Sequence, residues 1–146
     1  RALRAPRMIP GDIYLHRRFY VDCDTGEFKG KYLIVLAITP GRDLVIRLLT
    51  SRSHGRPEQP PCFHGDPYPG FFLGIPGEPL NRPTWIDLRH LNDADPLDFR
   101  RDIERSVMAH VVRIAKPALR PILDCAANAN DTTRLQERAL RDELAR

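Results

Sequence analysis

Residues 31–52 read KYLIVLAITPGRDLVIRLLTSR, and this stretch decides the fold. Its two apolar runs, Tyr32–Ile38 and Leu44–Leu49, are rich in Val, Ile and Leu and are too short for ordinary helices, so they predict two β-strands. The intervening TPGRD supplies a proline, a glycine and an aspartate, which favour a tight turn, and Gly41 is the residue that accepts a positive φ most readily. The stretch therefore predicts a β-hairpin.

The polar ends of these two strands form the first candidate site. In an antiparallel pair joined by a turn, the start of one strand lies beside the end of the other. We therefore expect Lys31, Thr50, Ser51 and Arg52 to gather at the open end of the hairpin. The nearly continuous apolar character of both strands also predicts that the hairpin is covered on both faces.

Length and composition suit one globular domain. The chain has 146 residues, of which 42% are hydrophobic, and no apolar run approaches the roughly 20 residues that a membrane span needs. The basic N-terminus lacks the apolar core of a signal peptide, which predicts a soluble cytoplasmic protein with no membrane partner. Cys23, Cys62 and Cys125 are odd in number and widely spaced, which argues against a disulfide framework and favours a reducing compartment.

The charge is mildly basic and unevenly distributed. The net charge is +4, and residues 1–60 carry 11 bases against 6 acids, whereas residues 61–95 carry 2 against 5. Arginine supplies nearly all of the positive charge, and its planar fork suits phosphate recognition. A polyanionic partner is one interpretation. The alternative is an ordinary salt-bridged surface, because 19 acids accompany 23 bases.

Short strands and turns dominate the first 88 residues. Ile13–His16 and Phe19–Val21 predict strands on either side of an exposed loop, and DCDTG at 22–26 predicts a turn. Residues 53–83 hold eight prolines and five glycines together with several aromatic residues. They predict an ordered, irregular loop over the sheet, with at most short edge strands such as 71–73. Thr84–Leu88 predicts the last strand of the sheet, and its Trp85 either packs in the core or stacks on a base.

The chain becomes helical after residue 95. Asp95-Pro96 predicts a helix start, and apolar residues at helical spacing predict that this helix runs from 96 to 115. A short second helix follows around 118–123, and a final helix spans 132–146. The final helix carries a row of leucines that either packs on its own domain or forms the seam of a homodimer: Leu135, Leu140 and Leu144.

Known chemical motifs are mostly absent. Cys62-x-His64, with His54 upstream, matches no common zinc spacing, so a buried thiol and a loop histidine are expected. The sequence has no G-x-S-x-G motif and no glycine-rich nucleotide-binding motif. We therefore expect no metal and no cofactor.

The remaining cluster suits cleavage of RNA by its own 2′-hydroxyl. This reaction needs a base, an acid and cations on the developing phosphorane charge. Lys31 would stabilise charge, and Thr50 and Ser51 would hold the phosphate. The candidate acid/base residues are His16, His54 and His64. The candidate nucleic-acid-binding residues are Arg17, Arg18, Arg52 and Trp85.

At these residues the chain resembles the MazF/PemK (Kid) family of toxin endoribonucleases. Residues 10–15 (PGDIYL) match the opening strand of that family, 31–36 (KYLIVL) are similar to its second element, and 48–51 (LLTS) are similar to its third. The resemblance implies an SH3-like β-barrel in residues 1–95 with a helical tail, 96–146, packed on it. It also implies metal-independent cleavage of single-stranded RNA, a small antitoxin-like partner and a homodimer.

The departures from the family leave a second function open. Lys31 stands where the family has its catalytic arginine, and Tyr32 replaces the following proline. The loop at 53–83 and the three-helix tail are not typical of the family. The alternative is a non-catalytic module on the same fold that binds nucleic acid or a protein.

Overall fold

A seven-stranded sheet and three helices make up the fold of the computed structural model, which describes residues 8–146. Residues 1–7, and with them most of the basic N-terminal stretch, lie outside the described residues. The strands are β1 (Asp12–Val21), β2 (Phe28–Ile38), β3 (Leu44–Thr50), β4 (Cys62–Phe63), β5 (Gly70–Gly74), β6 (Thr84–Asp87) and β7 (Met108–Arg113). The helices are α1 (Pro96–Glu104), α2 (Lys116–Ala127) and α3 (Arg134–Leu144).

The sheet is entirely antiparallel and open. Its order is β4-β5-β6-β3-β2-β1-β7, so β4 and β7 are its two edges and do not pair with each other. The expected antiparallel sheet is confirmed, while closure into a barrel is not observed in the described residues. In residues 8–146, no helix combines the length and the hydropathy that crossing a membrane requires.

The hairpin of β2 and β3 forms as predicted and is the centre of the sheet. Leu33 pairs with Leu48. The turn is closed by the Thr39 N–H, which donates to the Asp43 carbonyl at 2.8 Å. The expectation that Gly41 takes the positive φ is wrong. Arg42 takes it instead, with φ 70°. The Arg42 N–H donates to the Thr39 carbonyl at 2.8 Å, and so the left-handed residue of this turn lies one position after Gly41.

Both faces of the hairpin are covered, as its apolar character predicted. Residues 33–37 of β2 are completely buried. Because successive side chains of a strand point to opposite faces, they divide between two cores. Ile34 belongs to the core that includes residues of α2 and α3, and Val35 belongs to the core that includes Phe99 of α1.

The single long helix expected at 96–115 is wrong. Asp95 caps α1 through its carboxylate, which accepts the Leu97 N–H at 2.8 Å, but the helix ends at Glu104, and Ser106 has a positive φ of 59°. Residues 108–113 instead form β7, which pairs antiparallel with β1. β-branched residues suit a strand, and the edge of the sheet offers them a partner. The tail therefore contributes a strand to the sheet, and residue 95 is not a boundary between a sheet unit and a helical unit.

Helices α2 and α3 confirm the two later helix predictions. Leu140 is fully buried in the core and Leu144 packs against it, whereas Leu135 is 55% exposed. The interpretation that the final helix packs on its own domain is confirmed for these two leucines. A homodimer stays a prediction, but Leu140 is not free to form its seam.

A buried arginine ties α3 to the hairpin. Arg47 of β3 has no exposed surface, and its guanidinium donates to the Gln136 side-chain oxygen at 3.0 Å and to the Ile46 carbonyl at 2.8 Å. Burial lowers the pKa of Arg47, although the charges of nearby carboxylates, Asp93 first, oppose the shift. Gln136 also donates to Asp93 at 2.8 Å. This network positions α3 across the strand that leads to the candidate site.

Candidate functional site

A cavity of about 480 Å³ lies at the open end of the β2–β3 hairpin. The four residues expected there, Lys31, Thr50, Ser51 and Arg52, all line it. The hairpin register explains their convergence: Leu33 pairs with Leu48, and two residues further along the same register Lys31 lies opposite Thr50. We call this cavity the hairpin-end pocket.

The turn after β3 brings a buried arginine into the wall of this pocket. His54 and Gly55 adopt positive φ values of 47° and 82°, and the Arg56 N–H donates to the Ser53 carbonyl at 2.8 Å. Arg56 is therefore turned back towards the sheet, where it is only 3% exposed. A Cβ on Gly70 of β5 would overlap the Arg56 side chain, so glycine at this position leaves room for the buried arginine.

Asp87 neutralises the buried guanidinium. Its carboxylate accepts hydrogen bonds from Arg89 Nε at 3.1 Å and from an Arg89 terminal nitrogen at 2.7 Å, and it lies 3.4 Å from a terminal nitrogen of Arg56. Burial by itself would raise the pKa of Asp87, but the hydrogen bonds from Arg89 and the two positive charges outweigh it and lower that pKa. Asp87 is thus held as a carboxylate between two arginines.

The pocket nevertheless keeps an excess of positive charge. Among the lining residues in the described part of the chain, Asp87 is the only carboxylate. The basic lining residues are Lys31, Arg52, Arg56, Arg82 and Arg89. Within residues 8–146, Lys31, Arg52 and Arg82 form no ion pair within 4.0 Å. An anion would find uncompensated cations here, which favours a phosphate-containing ligand.

An imidazole and a phenol also border the pocket. His54 is exposed and stacks on the ring of Tyr68, with ring centres 4.7 Å apart. Tyr20, at the far end of β1, is 45% exposed, and the Lys31 Nζ lies 5.9 Å from its ring centre. The pocket therefore combines an imidazole, which can accept and donate protons, with an accessible aromatic face.

His16 does not join the pocket, although its backbone pairs with that of Lys31. The His16 Nε2 lies 3.0 Å from an Asp102 carboxylate oxygen, and its Nδ1 accepts the Arg18 N–H at 3.3 Å. Both ring nitrogens already have partners, and His16 is not brought to the pocket with Lys31. Its role as an acid/base candidate stays a prediction. Arg17 also turns away, because its guanidinium donates to the Ser106 carbonyl at 3.1 Å.

Three other predicted site residues lie outside the pocket. Arg18 packs over the ring of Phe28, with its guanidinium carbon 5.4 Å from the ring centre. Trp85 is only 5% exposed, and its indole N–H donates to the Pro57 carbonyl at 3.0 Å. The interpretation of Trp85 as a packing residue is confirmed, and base stacking on it is wrong because its faces are covered. His64 lies against the cysteines described next.

A second cluster joins β4 to α2. Cys62 and Cys125 form a disulfide with a Cα–Cα distance of 5.7 Å, and the His64 Nε2 lies 3.4 Å from the Cys62 Sγ and 2.9 Å from the Cys125 carbonyl oxygen. The expectation of unpaired cysteines is wrong, and with it the argument from cysteine spacing for a reducing compartment. The two residues are 63 positions apart, so only the packing of α2 against the edge strand reveals the pair.

Several pocket residues were not anticipated from the sequence: Tyr20, Arg56, Arg82, Asp87 and Arg89. They come from the end of β1, from the loop at 53–83 and from around β6, and no local motif connects them. The only sequence feature that pointed to them was the high glycine content of 53–83. Gly55 takes a positive φ in the turn before Arg56, and Gly70 leaves room for the buried Arg56 side chain.

No family model matches the chain, and no curated protein or solved structure matches it either. Function has to be inferred from the chemistry of the pocket itself.

Proposed function

We propose that the hairpin-end pocket binds the backbone of single-stranded RNA and cleaves it by attack of the 2′-hydroxyl, without a metal ion. One observation carries this proposal: the pocket brings five Lys and Arg residues against a single carboxylate and places His54, Thr50 and Ser51 in the same lining. Cations and hydroxyls fit a phosphodiester, and an imidazole supplies the proton transfer that its cleavage needs.

Each group has a role that its surroundings support. His54 is the only imidazole in the lining, so it is assigned the proton transfer at the 2′-hydroxyl. Lys31 stabilises the charge that develops on the phosphorane. The Thr50 Oγ already accepts the Arg52 N–H at 3.1 Å, so its own hydroxyl proton is free to donate to a phosphate oxygen. Arg52 and Arg82 are exposed cations that suit the flanking phosphates.

The resemblance to the MazF/PemK family supports the same activity. Of the matching residues 10–15, the last four open β1. The similar second element lies in β2, and the third covers the end of β3 and the residue after it. In this proposal the β1-β2-β3-β6 meander corresponds to the strands of the family's SH3-like barrel, left open here at β4 and β7. A toxin of this kind would have a small antitoxin-like protein as its partner.

Lys31→Ala is expected to lower the rate of cleavage by about 10²–10³-fold, the typical loss when one donor to developing charge is removed. The measurement is cleavage of a labelled single-stranded RNA by the purified chain in EDTA. Lys31→Arg is the matched control and should retain activity, because it keeps the charge and its planar guanidinium can bond two phosphate oxygens at once. An RNA with a 2′-deoxy residue at the cleaved position should remain intact.

Two outcomes would contradict the nuclease proposal. One is that the wild-type chain leaves RNA intact in EDTA, and the other is that Lys31→Ala cleaves as fast as the wild type. The second outcome would show that Lys31 does not stabilise the transition state. The first would favour the second candidate function, a non-catalytic module that binds RNA through the same pocket. The single imidazole in the lining and the lysine at the place of the family arginine favour that candidate. Its signature is steeply salt-dependent RNA binding without turnover.

Tyr20→Ala is expected to weaken binding of single-stranded RNA by roughly 5- to 150-fold, which corresponds to about 1–3 kcal/mol for the loss of one stacked base. The exposed phenol ring beside Lys31 is the aromatic face that the pocket offers. Affinity is measured by fluorescence anisotropy with a non-cleavable 2′-deoxy oligomer. Tyr20→Phe should bind like the wild type. Phe28→Ala, which removes an exposed ring of the same β1–β2 hairpin outside the pocket, is the control. Equal affinity of Tyr20→Ala and Phe28→Ala would remove the stacking role.

A further inference from the structure

The cluster of Cys62, His64 and Cys125 is separate from the hairpin-end pocket, and none of the three residues lines that pocket. One ligand atom from each, two sulfurs and one ring nitrogen, lies within 4.8 Å of the other two. We propose that reduction of the Cys62–Cys125 disulfide turns this cluster into a binding site for a thiophilic divalent metal ion, with Zn²⁺ as the expected ion.

The backbone explains why these three side chains meet. Cys62 is the first residue of the two-residue strand β4 and His64 follows its last residue, so the two are separated by one residue along an extended segment and project to the same side. Cys125 is 2% exposed on the buried side of α2. The His64 Nε2 lies 3.4 Å from one sulfur and 3.5 Å from the other. The imidazole nitrogen therefore already lies beside both sulfurs, at nearly equal distances.

The ligand set suits zinc better than a hard cation. Thiolate and imidazole are the ligands that Zn²⁺ prefers, whereas Mg²⁺ and Ca²⁺ prefer oxygen. Two thiolates would lie roughly 3.8 Å apart around an ion with Zn–S distances of about 2.3 Å, so the sulfurs must separate once their bond is broken. Cys62 and His64 are only half-buried, which leaves a fourth position open to water.

The chemistry balances with a dithiol as the reductant. The dithiol is oxidised to its own disulfide as Cys62 and Cys125 gain two electrons and two protons and become thiols. Binding of Zn²⁺ then releases the two thiol protons and changes no oxidation state. The His64 Nε2 lies 2.9 Å from the Cys125 carbonyl oxygen. Binding of a metal ion through Nε2 requires the tautomer that is protonated on Nδ1.

The metal would perform the same structural task as the disulfide. Either link joins the edge strand β4 to α2, and so holds the loop at 53–83 against the helices. That loop also supplies His54 and Arg56 to the hairpin-end pocket. A thiol-rich environment opens the covalent link, and the metal would then keep the loop closed. The metal site requires no RNA chemistry, so it stands apart from the proposed nuclease activity.

Metal titration of the full chain tests the site. Protein that has been reduced, stripped of metal and kept free of oxygen is titrated with Co²⁺, whose thiolate complexes have intense charge-transfer absorption. We expect one Co²⁺ per chain, with its displacement by Zn²⁺ and the release of two protons. Oxidised wild-type protein is the matched control and should give no such absorption. Cys23→Ser should bind normally, because Cys23 is the free, exposed cysteine.

Variants of the three ligands separate this site from adventitious binding. Cys62→Ser and Cys125→Ser should each lose stoichiometric binding, and His64→Ala should bind more weakly while it retains the charge-transfer band. If Cys125→Ser fails to fold, as far-UV circular dichroism would reveal, the comparison of oxidised with reduced wild-type protein and of His64→Ala decides. Metal binding by reduced wild type that is no tighter than that of oxidised wild type overturns the proposal. Binding that is lost in Cys23→Ser, or unchanged in His64→Ala, overturns it as well.

Discussion

His54→Ala should lower the rate of RNA cleavage by about 10²–10⁴-fold, the range that general acid–base catalysis contributes. Among the described residues, His54 is the only histidine that lines the hairpin-end pocket. Its exposed ring stacks on Tyr68 and is not part of a buried core. The substitution should therefore leave stability and RNA affinity nearly unchanged. Single-turnover cleavage in EDTA measures the effect, because it separates the chemical step from binding.

The matched control for this experiment is His90→Ala. His90 is exposed like His54, but it contacts Asn92 and does not line the hairpin-end pocket. It should cleave at the wild-type rate. If both variants cleave equally fast, His54 has no role in proton transfer. If His54→Ala loses affinity as strongly as rate, the imidazole acts in RNA binding and not in proton transfer.

Asp87→Ala should lower the free energy of unfolding by about 3–5 kcal/mol, the cost of leaving a buried charge without its partner. Arg56 is 3% exposed and would lose the carboxylate that compensates it. Arg89 is half-exposed and can turn to solvent, so it contributes less. Denaturant-induced unfolding measures the loss. Glu58→Ala, on the same loop as Arg56 and exposed, should change stability by less than about 0.5 kcal/mol.

The pH dependence of unfolding gives Asp87 a second signature. Its pKa in the folded chain is lower than the ordinary value of 3.8. The carboxylate therefore contributes its full stabilisation above pH 3.8, and that contribution is lost as the pH falls through the lower folded pKa. Wild type should lose stability in this acid range, and Asp87→Asn should lose less of it. Identical acid profiles for the two proteins would contradict the ion pair.

Measurements of unfolding also distinguish a substitution that weakens the pocket wall from substitutions that affect only the chemical step. Asp87→Ala is expected to lower both stability and RNA binding, because it releases the arginine that holds the pocket wall. His54→Ala and Lys31→Ala are expected to affect chemistry alone, since His54 is exposed and Lys31 is only partly buried where they line the pocket. A Lys31→Ala variant that unfolds would point to a structural role of Lys31 and away from charge stabilisation.

The helix at 96–115 shows where local patterning fails. The spacing of Phe99, Ile103, Val107, Val111 and Ile114 fits one face of a helix, yet the chain turns at Ser106 and continues as β7. The periodicity of this segment carries no information about the edge of β1 with which it pairs. Pairing with β1 satisfies the backbone groups of both strands, and this gain exists only once the sheet has formed.

Local sequence determined the β2–β3 hairpin, the Asp95 cap and the gathering of Lys31 and Thr50, because turn chemistry, capping and antiparallel register act between near neighbours. It did not predict that β5, within 53–83, lies inside the sheet between β4 and β6. The tertiary structure decided which other residues reached the pocket. It buried Trp85, exposed Tyr20, turned His16 towards Asp102, and brought Arg56 to Asp87 and Cys62 to Cys125. Those contacts join segments far apart in the chain, and they depend on the strand order and on helix packing, which no short stretch of sequence encodes.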